Sequence, residues 1–203
     1  MCTQALLTKT LSAPTVIDMS LKHKIRVCIK KPPCTRRGGT ARCYDGRVVK
    51  KYTDEEYAAL LPKKQVGTAV LFFNSKNELL VVKPDYREEW LVPGGAADED
   101  ESPLHCALRE TEEEIGLKMT TLQLVGIYFA HKNGVYTDSL KFVFYGGILT
   151  EDQIASIKLD TEELEEYTFM PLENALPLLS PSLQKCVPKS VEAIKTNAVV
   201  YVE

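Results

Sequence analysis

Gly94-Gly95-Ala96-Ala97-Asp98-Glu99-Asp100-Glu101-Ser102-Pro103-Leu104-His105-Cys106-Ala107-Leu108-Arg109-Glu110-Thr111-Glu112-Glu113-Glu114-Ile115-Gly116-Leu117 reads as a glycine turn, an acidic loop, a capped helix and a glycine stop. Ser102 suits the N-cap, and Pro103 suits the first helical position, where its missing N–H is not needed. Gly116 can take the left-handed conformation that ends a helix. At about 100° per residue, Leu104, Leu108, Thr111 and Ile115 form one apolar stripe with Ala107 at its edge. Glu110, Glu113 and Glu114 fall on another face. Three carboxylates so close repel one another unless a cation sits among them. Oxygen donors on a short rigid helix suit a hard divalent ion, magnesium or manganese.

The spacing of these residues resembles the box of the Nudix hydrolase family. That pattern runs Gly, five residues, Glu, seven residues, Arg-Glu, an aliphatic, one residue, Glu-Glu, one residue, Gly, an aliphatic. Gly95, Glu101, Arg109, Glu110, Thr111, Glu113, Glu114, Gly116 and Leu117 occupy its places. Thr111 is the one departure, and its methyl group can still face a core. A solvated acidic helix would not need glycines at both ends at fixed spacing, so the match is specific.

The whole chain sets broader bounds. At 203 residues it can bury one core and carry an extension. No apolar run approaches the ~20 residues that cross a bilayer, so no membrane role is expected. The net charge of −3 conceals an asymmetry: residues 1–51 hold twelve Lys/Arg against two acids, and the rest hold thirteen against twenty-six. The chain is therefore divided into a basic, partly disordered N-terminal extension (1–51) and a hydrolase domain with a C-terminal helix (52–203). Six cysteines without a secretory leader pattern suggest free thiols and a cytoplasmic location. Met19 is an alternative start to Met1.

Within the extension, Ile25, Val27 and Ile29 alternate as in a strand. His23, Cys28, Cys34 and Cys43 could supply zinc ligands, but they lack the close Cys-x-x-Cys pair of structural zinc sites. Basic charge here admits nucleic acid, although only Tyr44 and Tyr52 could stack on bases. Further on, the pattern predicts a short helix before Pro62 and a hairpin of strands Val66–Phe73 and Leu79–Val82 with a turn at Asn74–Asn77. Trp90 is expected to pack under the glycine turn. Strands follow at Leu122–Ala130, Leu140–Phe144, Tyr167–Met170 and Val199–Val202. Helices are expected at Glu151–Ile157, at Glu173–Leu179 and over Ser182–Thr196, the last kinked or interrupted at Pro188. Hairpins mixed with separated helices predict an α/β fold with a mixed β-sheet, and the resemblance implies the Nudix-type α/β/α sandwich.

The resemblance also implies hydrolysis of a nucleoside diphosphate linked to a group X, by metal-assisted attack of water on phosphorus. Glu110, Glu113 and Glu114 are assigned as metal ligands for Mg2+ or Mn2+. Arg109 would orient a glutamate or offset the crowded charge. Gly94 and Gly95 would let the backbone turn beside the site, and Glu101 would anchor the acidic loop to the helix. The general base stays open among the box glutamates and a later carboxylate, with Asp160, Glu162, Glu163, Glu165 and Glu166 as candidates. His105 and Cys106 match no required place, and His131 is read as solvent-exposed.

Substrate signatures are sparse. The runs associated with coenzyme A and NADH pyrophosphatases are absent, no proline lies between Pro103 and Pro171, and Tyr136 misses the offset associated with diadenosine-polyphosphate hydrolases. Small nucleotides remain: (d)NTPs, nucleoside diphosphates or NDP-sugars. An RNA-directed pyrophosphohydrolase using the basic arm and a non-catalytic nucleotide sensor are the competing readings. Oligomeric state is open, a homodimer included.

Overall fold

The computed structural model describes residues 43–44, 47–48, 52–135 and 137–203. The strand read at Ile25–Ile29, the zinc reading of His23, Cys28 and Cys34, and Tyr136 lie outside the described residues, and Cys43 is described by its backbone alone. Charge composition places a boundary at residue 51; the compact units divide after Leu61. In the first unit, β1 (Cys43–Tyr44) pairs antiparallel with β2 (Arg47–Val48). Helix α1 (Asp54–Leu60) starts from a Thr53 capping box, in which Thr53 and Glu56 satisfy each other's backbone amides.

The second unit is built on a six-stranded mixed sheet. Its strands are β3 (Gln65–Phe73), β4 (Leu79–Pro84), β5 (Gln123–Ala130), β6 (Ser139–Ile148), β7 (Leu164–Met170) and β8 (Val200–Val202), in the spatial order β7-β4-β3-β6-β5-β8. β3 runs parallel to β6 and β5 parallel to β8; the other pairs are antiparallel. Successive side chains of a strand point to opposite faces, so a central strand covered on both sides must be apolar throughout. β3 and β4 obey this. Ala69, Leu71, Phe73, Leu79 and Val81 join Leu183, Cys186 and Val187 of α5 (Pro181–Thr196) in one core. Val70, Phe72, Leu80 and Val82 join Ala107 and Ile115 of α2 (Pro103–Ile115) in the other. The result is the expected α/β/α sandwich.

Local chemistry explains the turns. Asn74 Oδ1 accepts from the amides of Lys76 and Glu78 at 3.0 and 2.9 Å, and Asn77 takes a positive φ, so the hairpin turn falls where it is expected. Ser102 Oγ caps α2 through the His105 amide at 3.2 Å, and Gly116 ends it at φ 72°.

Three expectations need correction. β6 continues past Phe144 through Gly146 and Gly147 to Ile148, because the Phe72 ring occupies the space a Cβ on Gly146 would need, only 2.0 Å from Phe72 Cε1. Gly146 accommodates an aromatic ring and does not stop the strand. The helix expected at 173–179 shrinks to α4 (Leu172–Ala175): Pro177 has no N–H for the next helical bond. By contrast α5 runs unbroken through Pro188, carried by the burial of Cys186, Val187 and Ala193 on either side. A short α3 (Glu151–Ala155) starts from a Thr150 capping box. No helix among the described residues is long and apolar enough to cross a membrane.

Candidate active site

Helix α2 turns Ala107, Thr111 and Ile115 of its expected stripe to the sheet, rolled toward the side of Cys106 and Glu114. Leu104 is exposed and Leu108 only partly covered, whereas Cys106, Ala107, Thr111, Glu114 and Ile115 are buried. Small side chains let the helix approach β3, and Thr111 settles its hydroxyl internally by donating to Ala107 O at 2.7 Å. This rotation separates the three box glutamates. Glu114, 7% exposed, points inward; Glu110 and Glu113 stay at the rim beside Arg109.

Arg109 is the hub of that rim. Its Nε and Nη2 form a fork on the Glu101 carboxylate, both at 2.9 Å, while Nη1 donates to Glu110 at 2.9 Å and to Glu113 at 2.8 Å. A planar guanidinium can hold three carboxylates in one plane in this way; an ammonium could not. Glu101 also accepts from the Asp98 amide at 3.0 Å, which ties the acidic loop to the helix. Arg109 holds the Glu101 carboxyl down to about 2. Glu114 has no such partner. Its carboxylate accepts from the Gly94 amide at 2.8 Å, yet burial, reinforced by Glu110, Glu163 and Glu113, pushes it up to about 8. Burial also raises Glu110, against the pull of Arg109.

Gly94 and Gly95 form the partition between these carboxylates and the space in front of them. Gly94 has φ 138°, and a Cβ there would lie 2.5 Å from the Thr68 carbonyl oxygen. A Cβ on Gly95 would sit 2.3 Å from Glu110 Oε1. The turn is pinned to β3 by Thr68 N–H donating to Gly95 O at 2.8 Å. In front lies a cleft of 610 Å³ lined by the glycine turn, Thr68, Tyr86, Arg87, Lys141 and Ser182, among others. A neighbouring 620 Å³ cleft shares Gly95 and Lys141 and runs past Asp98, Glu99 and Glu101.

The loop after α3 is fixed by the end of α2. The last helical carbonyls need donors, and Lys158 N–H and Asp160 N–H supply them to Ile115 O and Glu114 O, each at 3.0 Å. That anchorage brings Glu163 close enough for its charge to raise both Glu110 and Glu114. Of the five later acids, Glu163 thus acts on the cluster. Asp160 instead shapes the loop by accepting from Glu162 N–H at 2.9 Å, and Glu165 and Glu166 belong to β7. Cys106 is fully buried beside Thr68, Trp90 packs against the α5-side core, and His131 pairs with Glu203 at 3.0 Å.

Among the described residues, no three or more His, Cys, Asp or Glu side chains are gathered tightly enough to hold a metal ion. Arg109 and the Gly94 amide occupy carboxylate oxygens that a cation would use. The donor chemistry nonetheless fits a hard cation: all donors are carboxylate oxygens, and the buried Glu114 lacks a positive partner. Sequence reading did not single out Thr68, Tyr86, Arg87, Lys141 or Ser182. One signal was available, a lysine set in the apolar run Leu140-Lys141-Phe142-Val143.

The NUDIX domain family model matches residues 63–189. Human diphosphoinositol polyphosphate phosphohydrolase 2 is 41% identical over 63 residues, which cover 30% of this chain; the match spans only 35% of that relative's length. Among solved structures, the MutT protein of Methanosarcina mazei Go1 aligns with TM-score 0.54 and 25% identity over 68% of this chain and 98% of that one. A UDP-X diphosphatase aligns with TM-score 0.55 and 18% identity over 76% and 77%, a likeness of fold. With its sheet order, its box spacing and a family match that covers most of the chain, this protein belongs to the Nudix family of hydrolases.

Proposed function

We propose that the second unit hydrolyses the phosphoanhydride of a small nucleotide: a (d)NTP, a nucleoside diphosphate or an NDP-sugar. The observation that carries this reading is the Gly94–Gly95 turn, where the box carboxylates and the open cleft meet with no side chain between them. Glu110, Glu113 and Glu114 are the residues that would hold Mg2+ or Mn2+. A bound divalent ion supplies positive charge to the phosphoryl oxygens and makes water easier to deprotonate. Glu114 is fixed by the Gly94 amide and Glu110 and Glu113 by Arg109, so the chain presents these oxygens in set positions. Glu163, whose charge already reaches the cluster, is the later-loop group best placed to take a proton from water. Arg109 and Glu101 act as positioning residues.

A second reading comes from the curated relatives, whose name specifies diphosphoinositol polyphosphates. These carry the same anhydride on a more densely phosphorylated group. The test is a magnesium-dependent hydrolysis screen over (d)NTPs, NDP-sugars, dinucleotides, capped RNA and diphosphoinositol polyphosphates, with the products identified. Turnover of nucleotides or NDP-sugars supports the proposal. Turnover confined to the inositol compounds or to capped RNA replaces it, and none on any member refutes it.

A further inference from the structure

We propose that Lys141, together with Arg87, is an anion receptor that holds a non-reacting phosphoryl group of the substrate across the cleft from the box carboxylates. The inference rests on the pyrophosphatase reading and adds to it the residues that select the substrate. Lys141 projects from β6, the strand beside β3, and lines both clefts. Its Nζ donates to Ser182 Oγ at 3.0 Å. Ser182 belongs to the first turn of the 16-residue α5, whose Ser180 makes no side-chain cap bond. Arg87 lines the same cleft from the loop after β4, with its guanidinium carbon 5.5 Å from the centre of the exposed Tyr86 ring.

Neither cation has a carboxylate within ion-pair distance among the described residues. Burial lowers Lys141; Cys186 works against that shift and Arg87 adds to it. A chain that gathers two like charges against a partly buried wall is less stable for it, unless an anion arrives to offset them. The wall opposite cannot supply that anion, because its carboxylates are engaged by Arg109 and the Gly94 amide.

Charge in the clefts also limits the kind of substrate. The first cleft sets Arg87 and Lys141 against Glu89; the second sets Lys64 and Lys141 against Asp98, Glu99 and Glu101. Two free cations suit one phosphate or a pair. A ring bearing many phosphates would meet surroundings with more acid than base. The receptor therefore fits a nucleoside 5′-diphosphate linked to X, the exposed Tyr86 ring beside Arg87 offering a flat face for a base or sugar.

The test uses the full chain and two probes, inorganic phosphate and ADP, titrated calorimetrically in EDTA so that the carboxylate wall contributes no metal-mediated binding. Wild type should bind ADP measurably. Lys141→Met and Arg87→Gln should each weaken it about tenfold or more, as expected for a lost charge-assisted bond. Lys141→Arg should retain most of it, and Lys195→Met, at the far end of α5, should not change it. Removing an uncompensated cation should leave the melting temperature of Lys141→Met at or above wild type, whereas a merely structural lysine would lower it. Arg87 is exposed, so its variant reports on binding without a folding complication. In turnover, Lys141→Met should raise KM with kcat nearly unchanged. Failure of wild type to bind ADP or phosphate, or equal binding by wild type and both variants, overturns the receptor. Intact ADP binding with no turnover of any panel substrate would instead count against the pyrophosphatase reading alone.

Discussion

The α2 side of the cleft crowds Glu101, Glu110 and Glu113 around one arginine and buries Glu114 behind them, while the α5 side sets Lys141 and Arg87 with no carboxylate at ion-pair distance among the described residues. The first wall comes from 21 consecutive positions, Gly94 to Glu114; the second is assembled from the loop after β4, from β6 and from the start of α5. Each wall carries charge the protein alone does not balance. A metal would offset one and a phosphoryl group the other, so the ligand completes an electrostatic arrangement that folding leaves open.

The most severe way to break the first wall is to neutralise it. Glu113→Gln and Glu114→Gln should each reduce magnesium-dependent turnover by about 10²-fold or more, as expected when a metal-ligating oxygen is lost. Glu112→Gln should stay within about twofold of wild type by the same reasoning, because that side chain faces solvent and pairs with Lys118 at 2.8 Å. Steady-state rates on the substrate found by the screen decide this. Equal losses at all three positions would mean that the helix contributes bulk negative charge and not a specific donor set.

The two glycines of the partition should separate activity from stability. A Cβ on Gly95 collides with the end of the Glu110 side chain, which can swing away, so Gly95→Ala should fold normally and lose about 10-fold or more in rate through a displaced carboxylate. A Cβ on Gly94 collides with backbone, 2.5 Å from Thr68 O, at a φ of 138°. Gly94→Ala should therefore lower unfolding free energy by about 2–3 kcal/mol. Chemical denaturation and rates on both variants test the split. A stable, active Gly94→Ala would show that the turn is looser than its contacts imply.

This contrast also explains what could be read from sequence. The box residues sit at fixed offsets on one helix, so their spacing carries the geometry with it. β3 and β4 announce themselves as unbroken apolar runs because both faces are covered. For Glu114, helical angle gives its place near Glu113 but not its depth, which depends on how far the helix rolls. Small Cys106, Ala107 and Thr111 on the β3 side decide the roll, and only contact with β3 reveals it. The strand expected to end at Phe144 runs on for a similar reason: whether Gly146 is a stop or a seat for an aromatic depends on Phe72 of another strand. Lys141, Arg87 and Ser182 meet only after three separate elements are stacked, and no local pattern encodes that.

The Arg109–Glu101 fork sharpens the comparison by pH. The Glu101 carboxyl drops in the folded chain from its ordinary 4.5 to about 2. A depressed carboxylate contributes stability that is present above 4.5 and is lost as pH falls from 4.5 through 2. Glu101→Gln should therefore lie below wild type in stability at neutral pH and converge with it in acid. Melting temperature against pH measures this; a constant gap between the two proteins down to pH 2 would remove the charge of Glu101 from the account.

The smallest effect lies in the second half of α5, away from its cleft-facing start. Ser190 is fully buried and its hydroxyl has no partner among the described residues. An unsatisfied buried hydroxyl costs about 1–3 kcal/mol, so Ser190→Ala should stabilise the fold by about 1 kcal/mol and raise the melting temperature by about 3 °C. Activity should not change, since the first turn of α5 is untouched. Gly126 of β5 faces this hydroxyl: a Cβ there would lie 2.5 Å from Ser190 Oγ but 3.6 Å from Ser190 Cβ. Gly126→Ala should accordingly be destabilising with serine at 190 and much less so with alanine, a coupling of about 1 kcal/mol in a double-mutant cycle. Additive effects would mean that backbone shifts in β5, and not the hydroxyl, govern that contact. The cycle thus asks whether α5 is held by close packing beyond its middle while its first turn faces the cleft.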